Sequence, residues 1–327
     1  MILSKAPLRI SFMGGGSDLP NFYEKDFGEV ISCSINQYIY LVLNKPFNNE
    51  IRLSYSKTEI VKSRSEILHP LFREALLEVG PRDNIEIGSF ADVPDTGTGL
   101  GSSSSFTVAL IAGLKEFQDQ KISPKEIAAL ACKIELIRCK DPIGKQDQYA
   151  SALGGLNKFR FNPDGSVLVS KQAISSENLI LLQNSLYLIH LGFARSSNDI
   201  LRTQNELLET NPKVFENVKR IRNLVDDMLF ALNSLDIKII GELLEESWEI
   251  KKQLSVGISN KQIDEIFFLL KSWGSSGGKL LGAGGGGFLL MAVPSQNQKK
   301  FDVKLSESGL RRVKFEFDTD GITTYKV

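Results

Sequence analysis

The sequence predicts an α+β protein in two parts. Strand-like runs crowd the first ninety or so residues, a helical stretch covers Asn198 to Trp273, and strands return in about the last fifty. No regular alternation of strand and helix joins these blocks, which argues against a doubly wound sheet. At 327 residues the chain exceeds an average domain. We place the joint near Ser175–Ser185, giving parts 1–180 and 181–327.

Each block has its own warrant. Glu29–Asn44 is rich in Val, Ile, Tyr and Leu, and Ile51–Tyr55 and Ile85–Ile87 alternate, so all three read as strands. A short helix over Leu71–Val79 ends at Gly80-Pro81. Ser102–Phe117 is an apolar helix entered from a glycine-rich loop. Ser123-Pro124-Lys125-Glu126 is a capping box that opens a helix to about Cys139. Its apolar stripe runs through Ile127, Leu130, Ala131, Ile134 and Ile137, with Glu135 beside it and half-exposed. Asp141-Pro142-Ile143-Gly144 breaks that helix. Asn157–Phe161 and Leu181–Leu191 read as strands, and Pro212 and Asn233-Ser234 as joints in the long helical stretch. The tail reads strand, glycine-rich turn, strand, helix, strand, strand.

Composition excludes several classes. Thirty-nine Lys+Arg balance thirty-nine Asp+Glu, so no global field recruits nucleic acid or an anionic membrane. Cys33, Cys132 and Cys139 form no CxxC and are an odd number, which suits buried thiols in a reducing compartment. Only His69 and His190 exist, so chemistry built on histidine is poorly supplied. The N-terminus lacks a basic segment followed by a long apolar one, and no uncharged run reads as a span. The expectation is a cytoplasmic protein without membrane or nucleic-acid partners.

The loop from Pro94 through Gly97, Gly99, Leu100 and Gly101 into Ser102, Ser103 and Ser104 carries the most chemistry. Glycines let backbone N–H groups approach a ligand, and the helix N-terminus adds roughly half a positive charge. Serine hydroxyls add donors, one of which can bind a divalent cation. Together these suit a triphosphate with its magnesium. Ser276-Gly277-Gly278-Lys279-Leu280 fails as a Walker loop, since Trp273 and Leu280 stand where Gly and Ser/Thr belong. Gly282–Gly287 satisfies GxGxxG but leads into Phe288–Pro294, which reads as a strand, not the helix a dinucleotide turn needs. Glu135 and Asp147, twelve residues apart across a loop, suggest one metal ligand and one base.

Three segments in order resemble the motifs of the GHMP kinase superfamily. They are Ala6-Pro7-Leu8-Arg9 through Gly14-Gly15-Gly16-Ser17-Asp18-Leu19-Pro20, then Pro94 to Ser104, then Leu281-Gly282-Ala283-Gly284-Gly285-Gly286-Gly287-Phe288. The resemblance spans nearly the whole chain and is nearest the sugar 1-kinase branch. It implies an N-terminal domain with a left-handed βαβ unit, a ferredoxin-like C-terminal domain, and an active site in the cleft between them. It also implies ATP and Mg2+ as cofactors, with the second motif, Gly284 and Gly285 on the nucleotide. Ser103 and Glu135 would ligate magnesium, Asp147 would be the catalytic aspartate, and Arg9 would steady it. Asp18, with Gly15, Gly16 and Ser17, would hold the sugar. The implied reaction is phosphoryl transfer to the anomeric hydroxyl of D-glycero-D-manno-heptose 7-phosphate. The alternatives are a fucokinase-like or other hexose 1-kinase, or a non-catalytic sugar- and ATP-binding sensor. A substrate phosphate needs cations, for which Arg195 and Lys145 are the candidates, and the resemblance is compatible with a homodimer. Gly14-Gly15-Gly16 stands where galactokinase has Gly-Glu-His, so that enzyme's contacts do not transfer.

Overall fold

A computed structural model describes residues 1–81, 84–94, 97–193 and 197–327, without the Ser197 side chain. Its strands are β1 (Ile2–Met13), β2 (Gly28–Asn44), β3 (Ile51–Ser54), β4 (Thr58–Val61), β5 (Ile85–Ala91), β6 (Leu156–Phe161), β7 (Val167–Lys171), β8 (Leu186–His190), β9 (Gly277–Leu280), β10 (Phe288–Ala292), β11 (Arg311–Val313) and β12 (Thr323–Lys326). Its helices begin with α1 (Pro20–Tyr23), α2 (Pro70–Val79), α3 (Ser102–Phe117), α4 (Pro124–Cys132), α5 (Gln146–Leu153) and α6 (Ser176–Ser185). The second half adds α7 (Ser197–Thr210), α8 (Pro212–Asn223), α9 (Val225–Ser234), α10 (Ile237–Lys251), α11 (Lys261–Ser272) and α12 (Ser295–Ser308).

Two sheets carry the α+β architecture. The first runs β12-β1-β2-β5-β3-β4, with β6 on the free half of the long β2 and β7 beyond it. Its one parallel pair among the described strands, β3 with β5, is joined through α2, which forms the βαβ unit. Along β1, Leu8, Ile10 and Phe12 are fully buried, and Arg9 and Ser11 between them alternate onto the cleft side. The second sheet is antiparallel in the order β11-β8-β10-β9, with five helices between β8 and β9 and α12 between β10 and β11. That is the ferredoxin-like pattern, in which β10 inserts between β8 and β9. One apolar core lies under α2, α3 and α4, and another joins the inner end of β1 to the second sheet and its helices.

The structure departs from the sequence expectations at several places. Ser175 caps a helix by accepting the Asn178 N–H at 3.2 Å, so Ser176–Ser185 is helical and the strand begins only at Leu186. The capping box of α4 forms as read, but a π-helical turn, Lys133–Arg138, follows it, with the Cys139 N–H reaching back to the Ile134 carbonyl. The extra residue shifts the phase of the helix. Ile137 is thereby 67% exposed and Glu135 is 0% exposed, the reverse of the expected pattern. The chain crosses from first to second sheet between Lys171 and Leu186, and β12 returns to pair with β1. Among the described residues no helix is long and apolar enough to cross a membrane.

Candidate active site

A cleft with room of about 600 Å³ opens between the two sheets' elements. Its walls are the inner end of β1, the Gly15–Asp18 turn, the loop into α3, the start of α5, α7, the end of α10, and β9 with its following turn. The size suits a drug-sized or nucleotide ligand.

At its centre Arg9 clamps Asp147 with two parallel bonds, Nε to Oδ1 at 2.8 Å and Nη2 to Oδ2 at 2.7 Å. The third guanidinium nitrogen donates to the Gly99 carbonyl at 2.6 Å, which ties the pair to the loop. Such a fork fixes the geometry as well as the charge. Gln146 donates to Asp147 Oδ1 at 3.0 Å and accepts from Ser11 Oγ at 2.8 Å, a link the sequence reading missed. Asp18 sets the start of α5: its carboxylate accepts the Gly16 N–H at 3.0 Å and the Gln146 N–H at 3.2 Å. Burial, then the nearby Asp147, raises the Asp18 carboxyl above its ordinary range.

The loop into α3 forms the facing wall through Gly97, Thr98, Gly99 and Gly101, then Ser102, Ser103 and Ser104. Gly101 sits at φ +81°, left-handed backbone that turns the chain into the helix. A side chain there would press on the Asp147 carboxylate, 3.1 Å away. Gly99 and Gly282 pack backbone to backbone, with no space for a side chain on either. The second and third motifs are therefore one packed unit.

Not every expected residue reaches the cleft. Leu100 is fully buried and Pro94 is exposed outside the cleft. Gly284 and Gly285 lie behind, packed on Ile258, while Gly282 and Ala283 face the ligand space. Ser17 is buried and its hydroxyl accepts the Glu29 N–H at 3.0 Å, so it holds the turn together. Gly15, Gly16 and Asp18 do line the cleft. Lys145 turns away: its ammonium donates to the Gly165 carbonyl at 2.7 Å and lies 4.6 Å over the Tyr23 ring. Arg195 lies outside the described residues.

Glu135 stands one hydrogen bond behind the wall. Its carboxylate accepts from Ser104 Oγ at 2.9 Å and Thr107 Oγ1 at 2.8 Å, and from the Gln148 amide. Burial pushes its carboxyl up to about 7 against those three donors. Among the described residues Gln148 Oε1 beside it is buried without a partner, and a protonated Glu135 would supply one were the amide turned over.

Two further cations come from the second part. Lys251, at the end of α10, donates to the Gly282 carbonyl, and Lys279, on β9, donates to the Phe12 carbonyl at 3.2 Å. Burial first, then Arg9, pushes the Lys251 ammonium down to about 8. Burial, then Lys251 and Arg9, takes Lys279 well below its ordinary range. Lys279 appeared in the sequence only inside a rejected motif, and Lys251 carried no local signal.

Comparison with known proteins agrees with this geometry. Residues 65–155 match the family model of the GHMP kinases N terminal domain, and residues 228–307 that of the GHMP kinases C terminal region. The chain is 27% identical to the D-glycero-alpha-D-manno-heptose 7-phosphate kinase of Campylobacter jejuni, covering 100% of this chain and 99% of that one. It is 26% identical to the bifunctional fucokinase/GDP-fucose pyrophosphorylase of Arabidopsis thaliana, over 92% of this chain but 31% of that protein. Among solved structures, a D-glycero-D-manno-heptose 1-phosphate kinase from Bacteroides thetaiotaomicron superposes over the full chain with a TM-score of 0.81 at 24% identity. Both family models in order, on a matching two-sheet fold with the cleft between, show that this chain belongs to the GHMP kinases and is an ATP-dependent kinase of that family.

Proposed function

We propose that this GHMP kinase is a sugar 1-kinase, transferring the γ-phosphoryl group of ATP to the anomeric hydroxyl of D-glycero-D-manno-heptose 7-phosphate to give the 1,7-bisphosphate. The observation that carries the chemistry is the Arg9–Asp147 fork beneath the first turn of α3. Asp147 Oδ2 would accept or orient the hydroxyl proton of the sugar. Arg9 and the N–H groups at the start of α3 would take the charge of the phosphates, so catalysis is positioning and electrostatics. Asp18 keeps lone pairs beyond its two backbone bonds for sugar hydroxyls. The substrate identity is supported by the full-length likeness to the Campylobacter enzyme. Supply of ATP suits a cytoplasmic location.

The donors facing the cleft fit magnesium, a hard cation that keeps several waters and takes one or two carboxylates plus substrate phosphates. Ser103 is exposed and, like Asp147, lines the cleft, so these would hold the ion against the phosphates. Glu135, fully buried behind Ser104, would join it only through a rearrangement of that wall. When bound, the cation neutralises charge on the phosphates. Among the described residues no cluster of three or more His, Cys, Asp or Glu would hold a metal alone, which suits an ion that arrives with the nucleotide.

Screening a panel of sugars and sugar phosphates for ADP release tests the substrate. The heptose 7-phosphate should give the highest kcat/KM. A second reading, a fucokinase-like hexose 1-kinase, is favoured by Lys145 facing away from the cleft. Higher kcat/KM on an unphosphorylated hexose would select it.

A further inference from the structure

Three cationic side chains converge on the cleft from segments far apart in sequence: Arg9 on β1, Lys251 on α10 and Lys279 on β9. Three carboxylates, Asp18, Asp141 and Asp147, share the space, and Asp147 is already engaged by Arg9 in a two-bond fork. Asp18 accepts two backbone N–H groups and keeps its remaining lone pairs. Among the described residues, Lys251 and Lys279 have carbonyls as hydrogen-bond partners and no carboxylate within ion-pair distance. Lys279 is 5% exposed. An ammonium has three donors, and a single carbonyl leaves most of its lost hydration unreplaced. Two such lysines beside an arginine repel each other, and a fold keeps that arrangement at a cost that a dianion entering the cleft would remove.

Resting on the phosphoryl-transfer reading but not on which sugar accepts, we propose that Lys251 and Lys279 complete, with Arg9, a three-cation seat for a phosphoryl group, the arginine supplied by the first part of the fold and both lysines by the second. The Lys251 ammonium sits on the carbonyl of Gly282, which packs against Gly99, whose own carbonyl holds Arg9. Lys279 sits on Phe12, two residues before the Gly14–Asp18 turn. The seat thus lies between the nucleotide loop and the sugar-side turn. Either the terminal phosphoryl of ATP or a phosphate already on the sugar can occupy it.

Calorimetric titration of Lys251→Met and Lys279→Met with ADP and with a non-hydrolysable ATP analogue, both with magnesium and without sugar, reads the first source. Loss of one charge-assisted bond corresponds to about tenfold to hundredfold in affinity. A drop of that size for the triphosphate, with ADP changed less than about twofold, assigns the seat to the γ-phosphoryl. If both nucleotides bind as in the wild type, KM is compared for a sugar phosphate and its unphosphorylated counterpart. A rise confined to the phosphorylated sugar assigns the seat to that phosphate. Folded variants that match the wild type in all four measurements, or that lose ADP and triphosphate equally, overturn the proposal. A wild-type protein that binds neither nucleotide sinks the kinase reading with it. Melting curves check folding, and the partly buried Lys251 site keeps the test open should Lys279→Met fail to fold.

Discussion

Asp147 and Glu135 are two acids twelve residues apart, each within reach of the first turn of α3, and the structure gives them opposite surroundings. Asp147 is 26% exposed in its side chain, opens on the cleft and is met by a guanidinium. Glu135 is sealed behind Ser104 and, among the described residues, is met by neutral donors. A charge-paired acid at a cleft is suited to proton and phosphate chemistry. A buried acid among hydroxyls and an amide is suited to holding a helix start in place, and it tends to keep its proton. Residue type and spacing are the same signal in both cases, so the neighbours decide the role.

The sharpest way to break this contrast is to neutralise each acid. Asp147→Asn should fold, bind nucleotide and lose turnover by roughly two to four orders of magnitude. Near-normal kcat in that variant would falsify the role proposed for the fork. Gly101→Val comes next, because its φ of +81° is strained for a β-branched residue and its side chain would push on Asp147. About 2 kcal/mol of stability and most of the turnover should be lost together. Retention of full activity would show that the wall tolerates displacement of the aspartate.

Glu135→Gln should leave its mark on the pH dependence of stability. The folded carboxyl, at about 7 against an ordinary 4.5, binds its proton more tightly than in the unfolded chain. The stability it contributes is therefore complete below about 4.5 and is lost as pH rises through 7. Metal-free wild-type protein should weaken over that window by at most roughly 3 kcal/mol, and the glutamine variant should show a flatter profile. Denaturant titrations across that window measure both, and parallel profiles would refute the buried-acid account.

Smaller effects sharpen the boundary between cleft and wall. Ser103→Ala should raise the magnesium concentration needed for half-maximal rate several-fold at little cost in stability. Ser104→Ala should do the reverse, costing about 1 kcal/mol through a lost buried bond. Identical magnesium curves for the two variants would mean that Ser103 has no share in the ion. Smallest is Lys145→Ala, which should change kcat/KM for phosphorylated and unphosphorylated sugars alike, since its ammonium is spent on Gly165 and Tyr23. A loss confined to the phosphorylated sugar would put Lys145 back at the substrate.

Several features follow from the sequence alone because their causes are local. A left-handed glycine before a run of serines starts α3 where expected, and Ser123 with Glu126 caps α4, because both depend on a few consecutive residues. The α+β class follows from periodicities within single segments, and the three ordered motifs identify the family. Other features needed the assembled chain. The π-helical turn that rotates Glu135 inward and Ile137 outward answers to packing against α2 and α3, which no repeat along the helix encodes. The return of β12 to β1 depends on pairing across 318 residues or more. Lys251 and Lys279 are ordinary lysines in the sequence and become a cation pair only when α10 and β9 pack beside β1. Desolvation and like-charge crowding are sums over neighbours brought together by folding, so they come into being with the tertiary structure.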